Sequence, residues 1–354
     1  MRKIKVGIIG AGGVVQEAHI PCFQKLDNVE VLAISDPNKK KLNFVAEKFN
    51  IPEKFVDWRE MLGLKELEII SICSPNYLHK EQAINSLKKG KNVLCEKPVA
   101  MNAKEAEEIL ETAKKSKKKF MVAFPHRFSP GATFLKKMID DKEFGEIYYA
   151  KASYLRRRGI PGLGGWFTTK KLSGGGPLID VGVHILDRTY WLMGAPEPVS
   201  VTGATYQKFK KEAVDGGWPP QSSRVGDKYK GTFDVEDLSS AFIKFENGAT
   251  LFLEASWAGN SEVGMSLSLF GEKKGAKEDA SGLKIFDEKN GVLVDSSPAL
   301  PHVNVYEEEI KHFVFCVVEN KEPVTKPSEI LNVIRIIEAI YKSAASGKEV
   351  RLGK

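Results

Sequence analysis

Cysteine is scarce here, with four in 354 residues: Cys22, Cys73, Cys95 and Cys316. They stand far apart and form no CxxC pair, so neither a disulfide framework nor a cysteine-rich metal site is expected. Reduced thiols in a core suit a reducing compartment. Long apolar runs are missing as well, since nothing approaches the roughly 18 residues needed to span a membrane. The opening MRKIKVGII runs straight into a strand and a glycine turn, without the apolar region and cleavage site of a signal peptide. A cytoplasmic protein with no membrane partner is the expectation. No HExxH pair is present, so no metal is expected. Hydrophobic content of 42% and charged content of 28% exclude the disordered and fibrous classes.

The net charge of +7 is spread along the chain. Its densest run, Lys114, Lys115 and Lys117 to Lys119, closes an expected helix, where lysines suit the negative end of the helix dipole. No aromatic interleaving or recognition motif accompanies it, so no nucleic-acid partner is expected.

The length exceeds what one core usually supports, which predicts two domains. Short apolar runs at 4–9, 29–35, 69–73, 92–95 and 120–123 read as buried parallel strands. Between them, 38–49, 78–88 and 103–115 repeat apolar residues at three and four, as helices do. Strict alternation predicts an α/β fold whose first domain, residues 1–124, is a doubly wound parallel sheet of the Rossmann type.

The turn after the first strand supplies Gly10, Gly12, Gly13 and Val14, but Val15 replaces the third glycine of the dinucleotide fingerprint GxGxxG. Gly10 permits a tight turn and Gly12 lets backbone N–H groups approach a pyrophosphate at a helix N-terminus. Val15 implies looser packing of helix on strand rather than lost binding. Asp36 stands at the end of the second strand, where a carboxylate hydrogen-bonds the ribose diol of NAD and repels the extra phosphate of NADP. NAD is therefore favoured, with NADP kept open by Lys39 and Lys40 nearby. The bland alternative is a plain strand-to-helix turn, with Asp36 capping a helix that Pro37 opens.

Further along come Ser74-Pro75-Asn76 and His79, then Glu96-Lys97-Pro98, Arg127-Phe128, and the run from Gly174 to Asp187 that reads GGGPLIDVGVHILD. In order and spacing, over nearly the whole chain, these resemble the glucose-fructose oxidoreductase, inositol dehydrogenase and rhizopine catabolism (Gfo/Idh/MocA) oxidoreductase family. Val15 departs from the small residue usual there.

The resemblance implies a second α+β domain, residues 125–354, built on a large, mostly antiparallel open sheet. Strand-like stretches at 147–154, 199–206, 238–245, 250–257 and 265–270 agree. A helix over 327–346, opened by Pro327, is expected to pack back towards the first domain. The resemblance also implies a homo-oligomer, dimer or tetramer, built through that sheet.

It further implies an NAD(P)-dependent dehydrogenase or reductase acting on a secondary hydroxyl or keto group of a sugar, polyol, inositol or related cyclic substrate. Lys97, Asp180 and His184 are the implied catalytic group. Gly10, Gly12, Gly13, Val14, Asp36, Ser74, Asn76, His79, Glu96 and Lys97 are the candidate cofactor residues. Hydride transfer from an alcohol needs a base for the hydroxyl proton and a cation near the developing alkoxide. On a helix from Pro177, residues 180, 184, 187 and 191 share a face opposite Leu178, Val181, Ile185 and Leu192, which predicts one core stripe and one free stripe. Asp180 and His184, four apart, are placed to hydrogen-bond, which would raise the basicity of the imidazole. A solvated face and a metal site are the competing accounts of that stripe. Lys97, at the C-terminal end of a strand, lies where open parallel sheets bind ligands, and Pro98 is expected to fix its turn, through a cis bond if need be.

Arg127, Tyr154, Arg156, Trp166, Asp180 and His184 are the candidate substrate contacts, with arginine forks and aromatic faces suiting a polyhydroxylated or anionic molecule. The polar connection 208–235 is open between a lid, a subunit arm and a disordered loop. Two other functions stay in view: an NAD-dependent glycoside hydrolase working by transient oxidation, and a non-catalytic dinucleotide-binding regulator.

Overall fold

The computed structural model describes residues 3–210, 213, 215–225 and 232–353. Six strands form the first sheet: β1 (Ile4–Ile9), β2 (Val29–Ser35), β3 (Glu53–Phe55), β4 (Ile69–Ile72), β5 (Asn92–Glu96) and β6 (Phe120–Ala123). All neighbours are parallel, in the order β3-β2-β1-β4-β5-β6. This is the Rossmann order, and it places a ligand crevice beyond the C-terminal ends of β1 and β4, where the winding reverses. Helices α1 (Ile20–Gln24), α2 (Lys39–Lys48), α3 (Trp58–Met61), α4 (His79–Lys88) and α5 (Ala103–Ser116) connect the strands. Covered on both faces, the strands bury Val6, Ile8, Ile34, Ile69 and Leu94 completely. β3 has no counterpart among the sequence expectations, because a three-residue edge strand beginning Glu53-Lys54 carries no apolar run.

Past β6 come α6 (Pro130–Asp140), β7 (Ile147–Leu155), α7 (Lys170–Ser173), α8 (Val183–Leu192) and β8 (Pro198–Tyr206). They are followed by β9 (Leu238–Phe245), β10 (Thr250–Ser256), β11 (Gly264–Gly271), β12 (Gly275–Asp279), β13 (Gly282–Lys289) and β14 (Val292–Ser296). With β15 (Val350–Arg351) they form a nine-stranded sheet ordered β14-β13-β12-β11-β7-β10-β9-β8-β15. β7 and β10 pair in parallel and the other neighbours are antiparallel, as expected of a mostly antiparallel sheet.

One face of this sheet buries Ala150, Ala152, Ile243, Leu251, Leu253, Leu267 and Leu269 under the helices. On the other face Phe242 is paired with Phe252, and Tyr149 with Phe270, and these rings are not fully covered. The last helices are α9 (Val305–Val318) and α10 (Pro327–Ser346). α10 buries Ile330, Val333, Ile334, Ile337 and Ile340, and it lies against α5, where Arg335 meets Glu107 at 3.0 Å and Glu338 accepts from the Ala103 amide at 3.0 Å. α9, which has no counterpart among the sequence expectations, sends Ile310, Phe313 and Val314 into the core of the first sheet. Its Asn304 cap accepts from the Tyr306 and Glu307 amides at 3.1 and 3.3 Å, a signal that was there to be read. Among the described residues no helix is long and apolar enough to cross a membrane, and no cluster of three or more His, Cys, Asp or Glu is placed to hold a metal ion.

Candidate active site

β1 ends in a turn at Gly10, whose φ is +102° and where an added Cβ would stand 2.7 Å from the Cys73 carbonyl oxygen. Only glycine suits that position. Gly12 faces open space. Gly10, Gly12, Gly13, Val14, Asp36 and Ser74 line a cavity of about 630 Å³, within the range for ligands of cofactor size. Asp36 accepts from the Ala11 amide at 2.9 Å and the Asn38 amide at 2.8 Å, so it ties the turns after β1 and β2 together. The cap of α2 is Asn38, accepting from Lys41 at 3.2 Å, which removes the capping account of Asp36. Asp36 also lines this cavity, where a carboxylate can accept from a ribose diol. Val15 is fully buried beside Val6, Ile8 and Ile20, and it opens a wide π-type turn, Val15–His19.

A second cavity of about 230 Å³ adjoins the first and shares Val14, Cys73, Ser74, Trp166, Phe167 and Trp218 with it. Lys97 enters it from the end of β5, and the Lys97–Pro98 peptide is cis. The Lys97 ammonium donates to the Asp180 carbonyl at 2.8 Å and to Asp180 Oδ1 at 3.0 Å, while Trp257 Nε1 donates to Oδ2 at 2.9 Å. Burial alone would raise the Asp180 carboxyl; the Lys97 and Arg156 charges and the two side-chain donors hold it below its ordinary value. Asp180 is an anion fixed at both oxygens.

His184 lines the same cavity but does not pair with Asp180, contrary to the expectation from their spacing. Asp180 belongs to a π-type turn, Leu178–Gly182, whose angular step differs from that of the α8 turn carrying His184. His184 Nδ1 is buried with no partner. Burial, then the charges of Lys97, His126 and Arg156, push the imidazole well below its usual value, the reverse of the raised basicity expected. It is neutral at pH 7. The His126 ring meets the His184 ring edge to face, centroids 4.9 Å apart, and burial with the Arg188 and Lys97 charges lowers it to about 4.

Beneath Lys97, Glu96 accepts the Lys97 amide at 3.1 Å on one oxygen and contacts His19 Nε2 at 2.9 Å on the other. His19 Nδ1 reaches Ser71 Oγ at 2.9 Å. Asn76 lines the second cavity and donates to the Ser173 carbonyl at 2.7 Å, joining the two domains. His79 is a correction: it is fully buried, outside both cavity linings, with its nitrogens 2.7 and 2.8 Å from the Pro98 and Ser74 carbonyls. It joins the loops after β4 and β5 instead of meeting a ligand.

Tyr154, Arg156 and Trp166 line the second cavity. Arg127 does not. Its guanidinium forks onto Asp187 at 2.8 and 2.7 Å and reaches Glu329 at 2.6 Å, all three being buried. The stripe expected to be free is thus divided: Asp180 and His184 face the cavity, whereas Asp187 and Trp191 are packed away. Sequence reasoning missed His126, Trp257, Trp218, Phe167 and Tyr306, which also line the second cavity. His126 adjoins the candidate Arg127, and Trp257 closes the expected strand 250–257, just past the end of β10, where strand patterning alone gives it no role in a site.

Two family models match the chain: an oxidoreductase family with an NAD-binding Rossmann fold over residues 4–124, and a GFO/IDH/MocA C-terminal domain over 133–277. D-glucoside 3-dehydrogenase of Escherichia coli K12 is 33% identical over 99% of this chain and 97% of its own length. Levoglucosan dehydrogenase of Pseudarthrobacter phenanthrenivorans is 28% identical over 72% of this chain and 68% of its own. A solved levoglucosan dehydrogenase in complex with NADH and L-sorbose superposes over 100% of both chains with a TM-score of 0.86 at 22% identity, a likeness of fold.

Proposed function

From the premise that this chain belongs to the Gfo/Idh/MocA oxidoreductase family, we propose that it is an NAD-dependent dehydrogenase oxidising a ring hydroxyl of a glucoside or closely related sugar. The observation that carries the proposal is Lys97 bonded to Asp180 across the domain cleft, beside an unpartnered neutral His184, in a cavity that joins the dinucleotide-sized one. Residues 1–124 form the cofactor domain and 125–354 the substrate domain, with α9 returning to complete the first core. Gly10 to Val14, Asp36 and Ser74 would hold NAD, which supplies the hydride acceptor when bound.

The remaining work falls to side chains. Trp166, Trp257, Tyr154 and Phe167 offer flat apolar faces to the C–H face of a sugar ring, and Arg156, Asn76 and His126 offer polar contacts around it. Lys97 directs its positive charge at the oxygen that develops alkoxide character. Asp180 holds that ammonium in place, and His184, already deprotonated at pH 7, is free to take the hydroxyl proton. The glucoside assignment follows the names of the relatives. Purified protein given NAD and a panel of methyl glucosides, levoglucosan and inositols is expected to raise the reduced-nicotinamide absorbance with a glucoside, faster than with NADP. Silence across the panel despite bound NADH removes the dehydrogenase, and release of the aglycone without net reduction favours the hydrolytic alternative.

The open face of the nine-stranded sheet, with Phe242, Phe252, Phe270 and Tyr149 among charged and small residues, is the surface we assign to self-association in a reducing, cytoplasmic setting. Light scattering is expected to give a dimer or tetramer, and Phe242→Glu with Phe270→Glu to shift it towards monomer. A monomeric wild-type protein at micromolar concentration refutes the assignment.

A further inference from the structure

The 208–235 connection, part of which (211, 212, 214 and 226–231) lies outside the described residues, sends its described part across the cofactor cavity. Trp218 and Pro219, from the second domain, line that cavity opposite the Gly12–Val14 turn. A Cβ on Gly13 would fall 2.4 Å from Pro219 Cβ and 3.3 Å from Ser223 Oγ, so the approach of the two domains here depends on glycine. Gln16 Nε2 reaches the Ser223 carbonyl at 3.5 Å, and Asn38 Nδ2 the Val225 carbonyl at 3.4 Å, one on either side of the glycine turn.

The segment is braced from its own side as well. Arg224 forms a forked pair with Asp215, both contacts at 2.8 Å, and donates to the Pro219 carbonyl at 2.5 Å. Asp215 also accepts from the Gly217 amide at 2.8 Å. Gly216 donates to the Ile160 carbonyl and Gly162 to the Trp218 carbonyl, each at 2.7 Å. Arg224 and Asp215 are outside the linings of these two cavities, whereas Trp218 lines both. The brace bears on the cavity wall at Trp218 and Pro219, by the Arg224 bond to the Pro219 carbonyl.

Resting on the dinucleotide assignment above, we infer that Trp218 and Pro219 are cofactor-retaining contacts and that Arg224 is a positioning residue for them, so that NAD is held by both domains and its release is slowed by these contacts. A loop with a purely local role has no need of a seat on the glycine turn. Because Trp218 borders both cavities, the same contact places an indole where cofactor and sugar meet.

The test is stopped-flow dissociation of NADH, read by energy transfer from tryptophan to the reduced nicotinamide, on the full chain. Trp218→Ala and Arg224→Gln are each expected to speed release by about tenfold to a hundredfold, the range for losing one aromatic contact on a ligand or its support. Association is expected to change by less than about threefold. Arg224→Gln keeps Trp218, so its energy-transfer signal is retained while its release rate rises, which a general loss of fold does not produce. Release within twofold of wild type in both variants overturns the inference. A wild-type protein that fails to bind NADH overturns the dinucleotide assignment itself, a separate and visible outcome.

Discussion

Lys97→Met is expected to lower kcat by roughly 10²- to 10³-fold, the scale for losing a positioned donor at a developing negative charge. NADH affinity should stay within about threefold, since the dinucleotide-sized cavity is lined by other residues. The argument is local. The Lys97 ammonium makes two bonds to one residue, the carbonyl and a carboxylate oxygen of Asp180, and the rest of its hydrogen-bonding capacity faces the cavity. Removing it leaves Asp180 buried with Trp257 as its remaining side-chain donor, so its carboxyl should rise towards neutrality and the variant should also melt earlier. Steady-state kinetics with a glucoside, beside an NADH titration and a thermal melt, separate the effects. Undiminished kcat would remove Lys97 from the chemistry; lost NADH binding at an intact melt would make it a cofactor residue instead.

Much of the fold was legible because parallel strands covered on both faces are continuous apolar runs. Ile4–Ile9, Val29–Ser35 and Phe120–Ala123 were bounded correctly for that reason. β12, β13 and β14 were not, since they are hairpin extensions at the edge of the sheet with long exposed stretches such as 288–293. The glycine turn and Asp36 were found through spacing, and Lys97, Asp180 and His184 through a family pattern. What neither source supplied was how those side chains would pair. An ideal helix puts residues 180 and 184 together, but the π-type turn at Leu178–Gly182 gives Asp180 to Lys97 and Trp257, which are 83 and 77 residues away. That exchange matters chemically, because an imidazole tied to a carboxylate would be more basic, and this one is kept neutral among cations.

The pair Arg127 and Asp187 shows the same limit from the other direction, and it yields the second large effect. Arg127→Met is expected to cost roughly 3–5 kcal/mol of stability, the usual range for stripping one partner from a buried ion pair, or on the order of 10 °C in Tm. Asp187 and Glu329 would be left facing each other with relative exposures of 1% and 5% and no cation between them. Burial already pushes the Asp187 carboxyl up, with the Arg127 charge and hydrogen bonds opposing that rise. Their loss favours uptake of a proton, so the variant's deficit should shrink as the pH is lowered towards the carboxyl range. Adding Asp187→Asn and Glu329→Gln should return part of the lost Tm, because the burden is an unpaired buried charge rather than a missing contact. At a temperature where the single variant remains folded, its KM for the sugar should stay within about threefold of wild type, since Arg127 reaches neither cavity. A KM raised tenfold or more with Tm unchanged would restore Arg127 to the substrate site.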